Sequence, residues 1–499
     1  MKTIKSLTEV EIAEFPKLPE EWKWARLGEI HILKSDKHKG SGESLFYVGL
    51  EHIKKDQGTL TEDVKVDVIN TVKNSFKIGD LLYGKLRPYL NKVYLANEDG
   101  VCSTDILVFE STPSLNLNYS KYFFLSYKFV NDMTHNSSGV NLPRVSTKYL
   151  QEYPFPLAPP PEQRAIVSKI ELLFSELDNG IANLKLAQEQ LKVYRQAVLK
   201  KAFEGELTKK WREQQTDLPD AGDLLEQIRR EREEAAKAFN KNKKITSLLS
   251  NTELANLSIL PTGWKWAKID EILQPNRECA YGVLQPGDDL PEGILLVRVG
   301  DIFNGKVDTS GMKRISPEIA NKYQRTFLEG GELLISLVGA IGRTAIAPIQ
   351  IKGANVARAV GVVPISKILN PYYIEYFFRR AEKVHELTSQ SHEVARKTLN
   401  LEDVKKATVT ICSFPEQQAI VQEIETRLSV CDKIELDIEE NLEKAEALRQ
   451  SILKKAFEGK LLNERELAEV RGAEDWEPAE VLLERVRVEK ADSGKKGRS

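Results

Sequence analysis

The chain has 499 residues, 41% apolar and 29% charged, with a formal net charge of −2, so it is too long for one ordinary domain and apolar enough for folded cores. No apolar run approaches the roughly 18 residues a membrane span needs, and the opening MKTIKSLTEVEIAEFPKLPEEW has no secretory apolar core; a cytoplasmic protein is expected. The charge balance neither demands nor excludes nucleic acid: a DNA-gripping chain of this charge would segregate its cations on one face or borrow part of the phosphate grip from partners.

In chain order, a short segment (1–17) precedes a mixed α/β domain at 18–158 that opens LPEEWKWARLGEI. Period-two apolar runs predict strands over Phe46–Leu50, Asp80–Tyr83, Lys92–Ala96 and Ile106–Glu110, followed by an aromatic-rich helix around Tyr119–Val130. A long helix is predicted over 159–208, then a charged linker with one exposed helix over 209–258. A second mixed α/β domain, 259–412, opens LPTGWKWAKIDEI, with strands at Leu295–Val299, Glu332–Val338, Thr344–Ala347 and Val360–Val363 and a helix around Tyr372–Lys383. A second long helix (413–462) and a charged helical tail (463–499) complete the chain.

The chain is therefore written twice. PEQRAIVSKIELLF at Pro161 and PEQQAIVQEIETRL at Pro415 start segments that align without a gap to Leu207 and Leu461, sharing an unbroken LKKAFEG. Ile170, Phe174, Leu177, Ile181, Leu184, Leu191, Val198 and Ala202 follow alternating steps of four and three, interrupted at Gln188 and Arg195. Ile424, Leu428, Cys431, Ile438, Leu442, Ala445, Ile452 and Ala456 occupy the matching places, a coiled-coil seam. Phe174, Leu177, Leu184, Leu191 and Phe203, with Leu428, Ile438, Leu442, Ile452 and Phe457, are assigned to the helix and partner interface. Proline followed by Glu suits each helix start, and Gly205 and Gly459 suit the C-caps.

Catalytic motifs are absent. NPYY at Asn370 departs from the N/D-P-P-Y/F of amino-methyltransferases, and no glycine-rich turn precedes it; a helix start with Pro371 in the first turn is the plainer reading. Gly339-Ala-Ile-Gly342 lacks a three-glycine dinucleotide pattern, and there is no P-loop or HExxH. Cys102, Cys279, Cys412 and Cys431 form no CxxC, and the histidines (His31, His38, His52, His135, His385, His392) show no ligand spacing, so no metal site and no catalytic residue is assigned.

These features resemble the specificity subunit of Type I restriction-modification enzymes over nearly the whole chain. The resemblance rests on the duplicated PEQ helices ending in KKAFEG, the W-K-W starts at Trp22 and Trp264, GKLRPYLNKV followed by GVCSTDILVF, and GDIFNGKV followed by SLVGAIGRTAIAP. It implies two target-recognition domains of mixed α/β (α+β) fold, separated by two long helices that form an antiparallel coiled coil with pseudo-two-fold repetition. It also implies a bipartite double-stranded DNA target, two methyltransferase subunits docked mainly on the helices, and restriction (translocase) subunits outside them. The cofactors of such a complex, S-adenosylmethionine, ATP and Mg, would belong to the partners; none is expected on this chain.

Base readout in the major groove uses Arg or Lys for guanine and Asn or Gln for adenine. In the first domain Lys85, Arg87, Tyr89, Asn91 and Lys92 crowd a predicted hairpin and are the candidate DNA contacts. Ser336, Arg343 and Thr344 occupy the matching stretch of the second domain, with Arg298 and Arg358 on neighbouring strands. Arg144 with Lys148, and Arg396 with Lys397, lie just before the long helices, where capping and domain-to-helix packing compete with DNA contact. Trp22, Trp24, Trp264 and Trp266 are expected in cores rather than as stacking platforms. Two other readings stay open at this point: a coiled-coil protein-interaction scaffold, and a self-sufficient methyltransferase, the latter opposed by the missing motifs.

Overall fold

A computed structural model of the chain describes residues 4–238, 248–389 and 398–496. Its contacts separate two compact units, residues 1–185 with 439–499, and residues 186–438. The division falls inside both long helices, so each unit combines one α/β domain, the first half of the helix that follows it, and the second half of the other helix.

After a short helix at Glu9–Ala13, the first unit runs from β1 (Lys23–Arg26) through β2 (Leu81–Gly84), β3 (Val93–Leu95), β4 (Ile106–Phe109) and α1 (Leu117–Phe124) to β5 (Pro154–Leu157) and the start of α2 (Pro160–Phe203). β2 is the central strand between β3 and β4, antiparallel to both, with Tyr83 opposite Val93 and Leu107. β1 pairs antiparallel with β5, Trp24 opposite Pro156, bringing the domain's start beside its end.

The second unit repeats the plan: α3 (Ala221–Ala238), β6 (Lys265–Lys268), β7 (Leu333–Ser336), β8 (Thr344–Ile346), β9 (Val360–Val363), α4 (Pro371–Phe378), β10 (Thr408–Ile411) and the start of α5 (Phe414–Phe457). β7 lies between β8 and β9, and β6 pairs with β10, Trp266 opposite Thr410. The first unit closes with the second half of α5 and with α6 (Ala479–Lys496).

The predicted aromatic helices each break in two. α1 stops at Leu125 and a second helix runs Tyr127–His135; α4 stops at Arg379 and a second runs Ala381–Ser389. Asn116 and Asn370 cap α1 and α4 through their side-chain oxygens, which makes NPYY a helix start. The faces turned inward give each core its large aromatic side chains: Tyr119, Phe123 and Phe124 in one unit, Tyr373, Phe377 and Phe378 in the other.

The charged linker differs from expectation, because its helix is amphipathic and packed rather than exposed; the helix of the charged tail packs in the same way. Ala221 and Ile228 of α3 are buried in the second unit's core, and Ala479, Leu482, Leu483 and Val486 of α6 in the first's. Arg232 donates to the Asp270 carbonyl, and Arg487 bonds Glu29 at 2.8 Å.

Along α2 and α5 every predicted seam position is buried or half-buried. Within the first unit Asp178 pairs with Arg449, whose guanidinium lies 4.4 Å from the Phe174 ring; within the second, Arg195 bonds Asp432 at 2.7 Å and Glu435 at 2.8 Å. The polar interruptions at Arg195 and its counterpart Arg449 are thus paired rather than orphaned. In each unit residue numbers rise on one helix as they fall on the other, so the helix halves run antiparallel.

Candidate nucleic-acid interface

A buried carboxylate anchors each domain to the helix that follows it. Glu162, in the first turn of α2, accepts from the Trp22 indole at 2.7 Å and from Arg471 Nε at 3.2 Å. Glu416, in the first turn of α5, accepts from the Trp264 indole at 2.9 Å, Arg212 Nε at 2.7 Å and the Thr208 hydroxyl at 2.8 Å. The next residues, Gln163 and Gln417, donate to the Ala158 and Cys412 carbonyls at 2.7 and 2.8 Å. Each anchor unites a W-K-W start, a PEQ start and an arginine from beyond the end of the other long helix. Trp22 and Trp264 are 4% and 5% exposed, core residues as expected. The sequence reading missed this use of Glu162, Glu416, Arg212 and Arg471; the signal was the identity of Trp and Glu at matching places in both repeats.

On this anchored frame the two candidate loops differ. Between β2 and β3, Arg87 and Asn91 adopt left-handed backbone (φ 51° and 45°), while the matching turn between β7 and β8 uses Gly339 and Gly342, both at φ 81°. Left-handed backbone costs an L-residue roughly 1–2 kcal/mol, so the first domain retains side chains where glycine would relax the loop. Arg87 and Tyr89 project into solvent from this turn, and Pro88 between them is buried as its footing. The Arg87 amide donates to Pro143 at 2.7 Å, tying the loop to the segment before α2.

The structure sorts the remaining candidates. Lys85 is half-buried, 3.9 Å from Asp105. Arg144 is exposed but bidentate on Asp105, both bonds 3.0 Å, which holds that carboxyl below its usual range; Lys148 is exposed, 3.9 Å from Glu152. Arg298 is exposed and bonds Asp301 at 2.9 Å, while Arg343 and Arg358 are exposed with no carboxylate within 4.0 Å among the described residues. Four assignments need correction. Asn91 is buried with its amide on Asp56 at 3.0 Å, so it shapes the loop, and Lys92 turns inward to the Ile53 carbonyl. Ser336 is 0% exposed at the end of β7, and Thr344, 3% exposed, donates to Glu375 at 2.9 Å. Both strands are buried on their two faces, which keeps these last two in the core, out of reach of a duplex. Arg396 and Lys397 lie outside the described residues.

Glu375 on α4 is another buried acid of the second unit: burial pushes its carboxyl up to about 7, against the opposing pull of Arg379 and Thr344. Among the described residues no group of three or more His, Cys, Asp or Glu could hold a metal ion, and no helix is long and apolar enough to cross a membrane.

A family model described as Type I restriction modification DNA specificity domain matches residues 19–186 and 262–444, one stretch for each repeat. The chain belongs to this family. Among its relatives, the Type I restriction enzyme EcoBI specificity subunit of Escherichia coli is 34% identical over 382 residues, covering 76% of this chain and 73% of the relative. The EcoKI specificity subunit of Escherichia coli strain K12 is 24% identical over 383 residues, covering 75% and 72%. A chain from a solved type I R-M system shares the fold at TM-score 0.67 and 19% identity, spanning 89% of this chain and all of that one. The HsdS subunit from Thermoanaerobacter tengcongensis gives 0.52 at 18% identity, over 89% and 98%.

Proposed function

We propose that this chain is the DNA-reading subunit of a Type I restriction-modification assembly, each unit reading one half of a bipartite, asymmetric double-stranded target. The observation that carries this reading is the duplicated Trp–Glu–Arg frame bearing unlike loops: Arg87 and Tyr89 on a strained turn in one unit, a glycine turn followed by Arg343 in the other. Exposed arginines suit guanine edges or phosphates, whereas the frame holds register without reading sequence. The chain is assigned no chemistry of its own. Two methyltransferase subunits on the paired helices and restriction subunits outside them would supply it, with S-adenosylmethionine, ATP and Mg, in the cytoplasm and on the nucleoid. Family membership favours this over a protein-interaction scaffold.

The test is methylome sequencing of cells carrying the chain with its partner genes, before and after exchange of Leu18–Ala158 for a homologue's first domain. A split motif in which only one half changes is expected. If both halves change, or no methylation depends on this gene, the reading fails.

A further inference from the structure

The two repeats differ at one place where comparison exposes a missing side chain. In the second unit the turn after α4 carries Arg380, whose guanidinium lies 3.9 Å from the centroid of the Phe377 ring and 5.4 Å from that of Phe203. Its Nε donates to the Phe377 carbonyl at 3.3 Å, and Lys383 adds an ammonium 5.5 Å from the same ring. A cation over an aromatic face is held by the ring quadrupole, more strongly as water is excluded. Glu382, Glu386 and Glu204 supply negative charge towards Arg380.

The first unit keeps the cradle and lacks its cations. Aligning Asn116–His135 with Asn370–Ser389, Phe123 matches Phe377, Ser126 replaces Arg380 and Phe129 replaces Lys383; in the LKKAFEG repeat, Phe457 matches Phe203. The Ser126 hydroxyl takes the Phe123 carbonyl at 2.7 Å, the acceptor that Arg380 uses in the other repeat. Two of the three acids stay, Asp132 where Glu386 stands and Glu458 where Glu204 does, while Lys128 replaces Glu382. What is left is a cavity of about 910 Å³ bordered by Trp24, Phe123, Tyr153, Phe457, Asp132 and Glu458. Of the cations on its margin, Arg26 is held by Glu11 at 2.6 Å and Lys128 by Asp132 at 3.1 Å, while Lys454 is 4.0 Å from Glu458; none takes the place over the rings that Arg380 fills.

We propose that this cavity receives an arginine side chain of a methyltransferase subunit, filling in trans the place Arg380 fills within the other repeat. This rests on the functional reading above, which puts that subunit on the paired helices; α5 forms one wall of the cavity. Lysine fits less well, because only a planar guanidinium can stack flat on the Phe123 ring, which the Phe457 ring meets edge-on at 5.2 Å, and still donate outward to carboxylates.

The experiment measures assembly of the full chain with its methyltransferase subunit by isothermal titration, for wild type, Ser126→Ala and Ser126→Arg. Ser126→Arg should fill the cavity from within and weaken assembly at least tenfold, while Ser126→Ala behaves as wild type. Acetyl-arginine amide should also compete with wild-type assembly where the neutral citrulline analogue does not, a readout that holds even if Ser126→Arg misfolds. Wild-type assembly by Ser126→Arg, or equal effects of the two analogues, overturns the inference and leaves the functional reading standing. Failure of the wild-type chain to assemble at all removes that reading and the inference with it.

Discussion

Glu416→Ala tests the anchored frame directly. The wild-type carboxylate is 2% exposed and receives three bonds, from Trp264, Arg212 and Thr208. Removing it leaves the Trp264 N–H buried and unpaired, worth about 1–3 kcal/mol, and strands the Arg212 guanidinium, which also lies 5.6 Å from the Trp264 ring. Loss of one partner of a buried charge pair costs about 3–5 kcal/mol; because Arg212 keeps some solvent, the lower half of that range is expected. For a unit of this size the melting temperature should drop on the order of 10 °C. Hydrogen exchange read by mass spectrometry locates the effect: peptides from α4 and β10 should lose protection, while those from α1 and β5 keep theirs. Glu162→Ala should give the mirror result. A shift under about 1 kcal/mol, or equal loss in both domains, would refute the idea that each carboxylate locks its own unit.

Three further outcomes follow from particular residues. Arg87→Gly should leave stability unchanged or raise it by about 1 kcal/mol by relieving left-handed strain, yet weaken one half-site of the methylated motif; an unchanged motif at unchanged affinity would remove Arg87 from readout. Burial raises the Glu375 carboxyl to about 7, above its unfolded value, so its favourable contribution is complete below the unfolded pKa and is lost as pH rises through 7. Melting curves from pH 5 to 8 should therefore fall less steeply for Glu375→Gln than for wild type, and identical slopes would contradict the shift. Truncation after Leu462 removes Arg471 and the buried Leu482, Leu483 and Val486, side chains worth about 1.5–3 kcal/mol each; exchange protection should fall in the first unit alone, and loss in the second instead would contradict the packing.

The duplication, the long helices and their seam were legible because each is a periodic signal within one segment. Strand positions came out to within a few residues for the same reason: β2 and β7 are short apolar runs with an acid before them. The inward turn of Asn91, Lys92, Ser336 and Thr344 was not legible. Polar residues in a strand-loop-strand stretch read as surface, and their burial depends on partners far away in sequence: Asp56, Ile53 and Glu375. The packing of α3 and α6 was hidden by composition, since Leu482 and Val486 are few among charged residues and only the three-dimensional face collects them.

The order of segments explains why the two domains could diverge while the helices did not. The Ala479 amide bonds the Glu21 carbonyl at 3.0 Å, and the Ala221 amide bonds the Gly263 carbonyl at 2.9 Å, so each domain's start is clasped by a helix that follows the other domain's long helix. Each unit is thus completed by chain from elsewhere, and a change in PEQ, KKAFEG or the W-K-W start disturbs an interface it does not belong to in sequence. The loops between β2 and β3 and between β7 and β8 carry no such obligation. Arg87 can occupy a left-handed turn where Gly339 sits in the other repeat because the strands beneath are fixed by Tyr83 and Ile335 in the core. On the proposed reading, function is a site grafted on a frame: the frame supplies the energy that tolerates local strain, and the loops are left to change what is read.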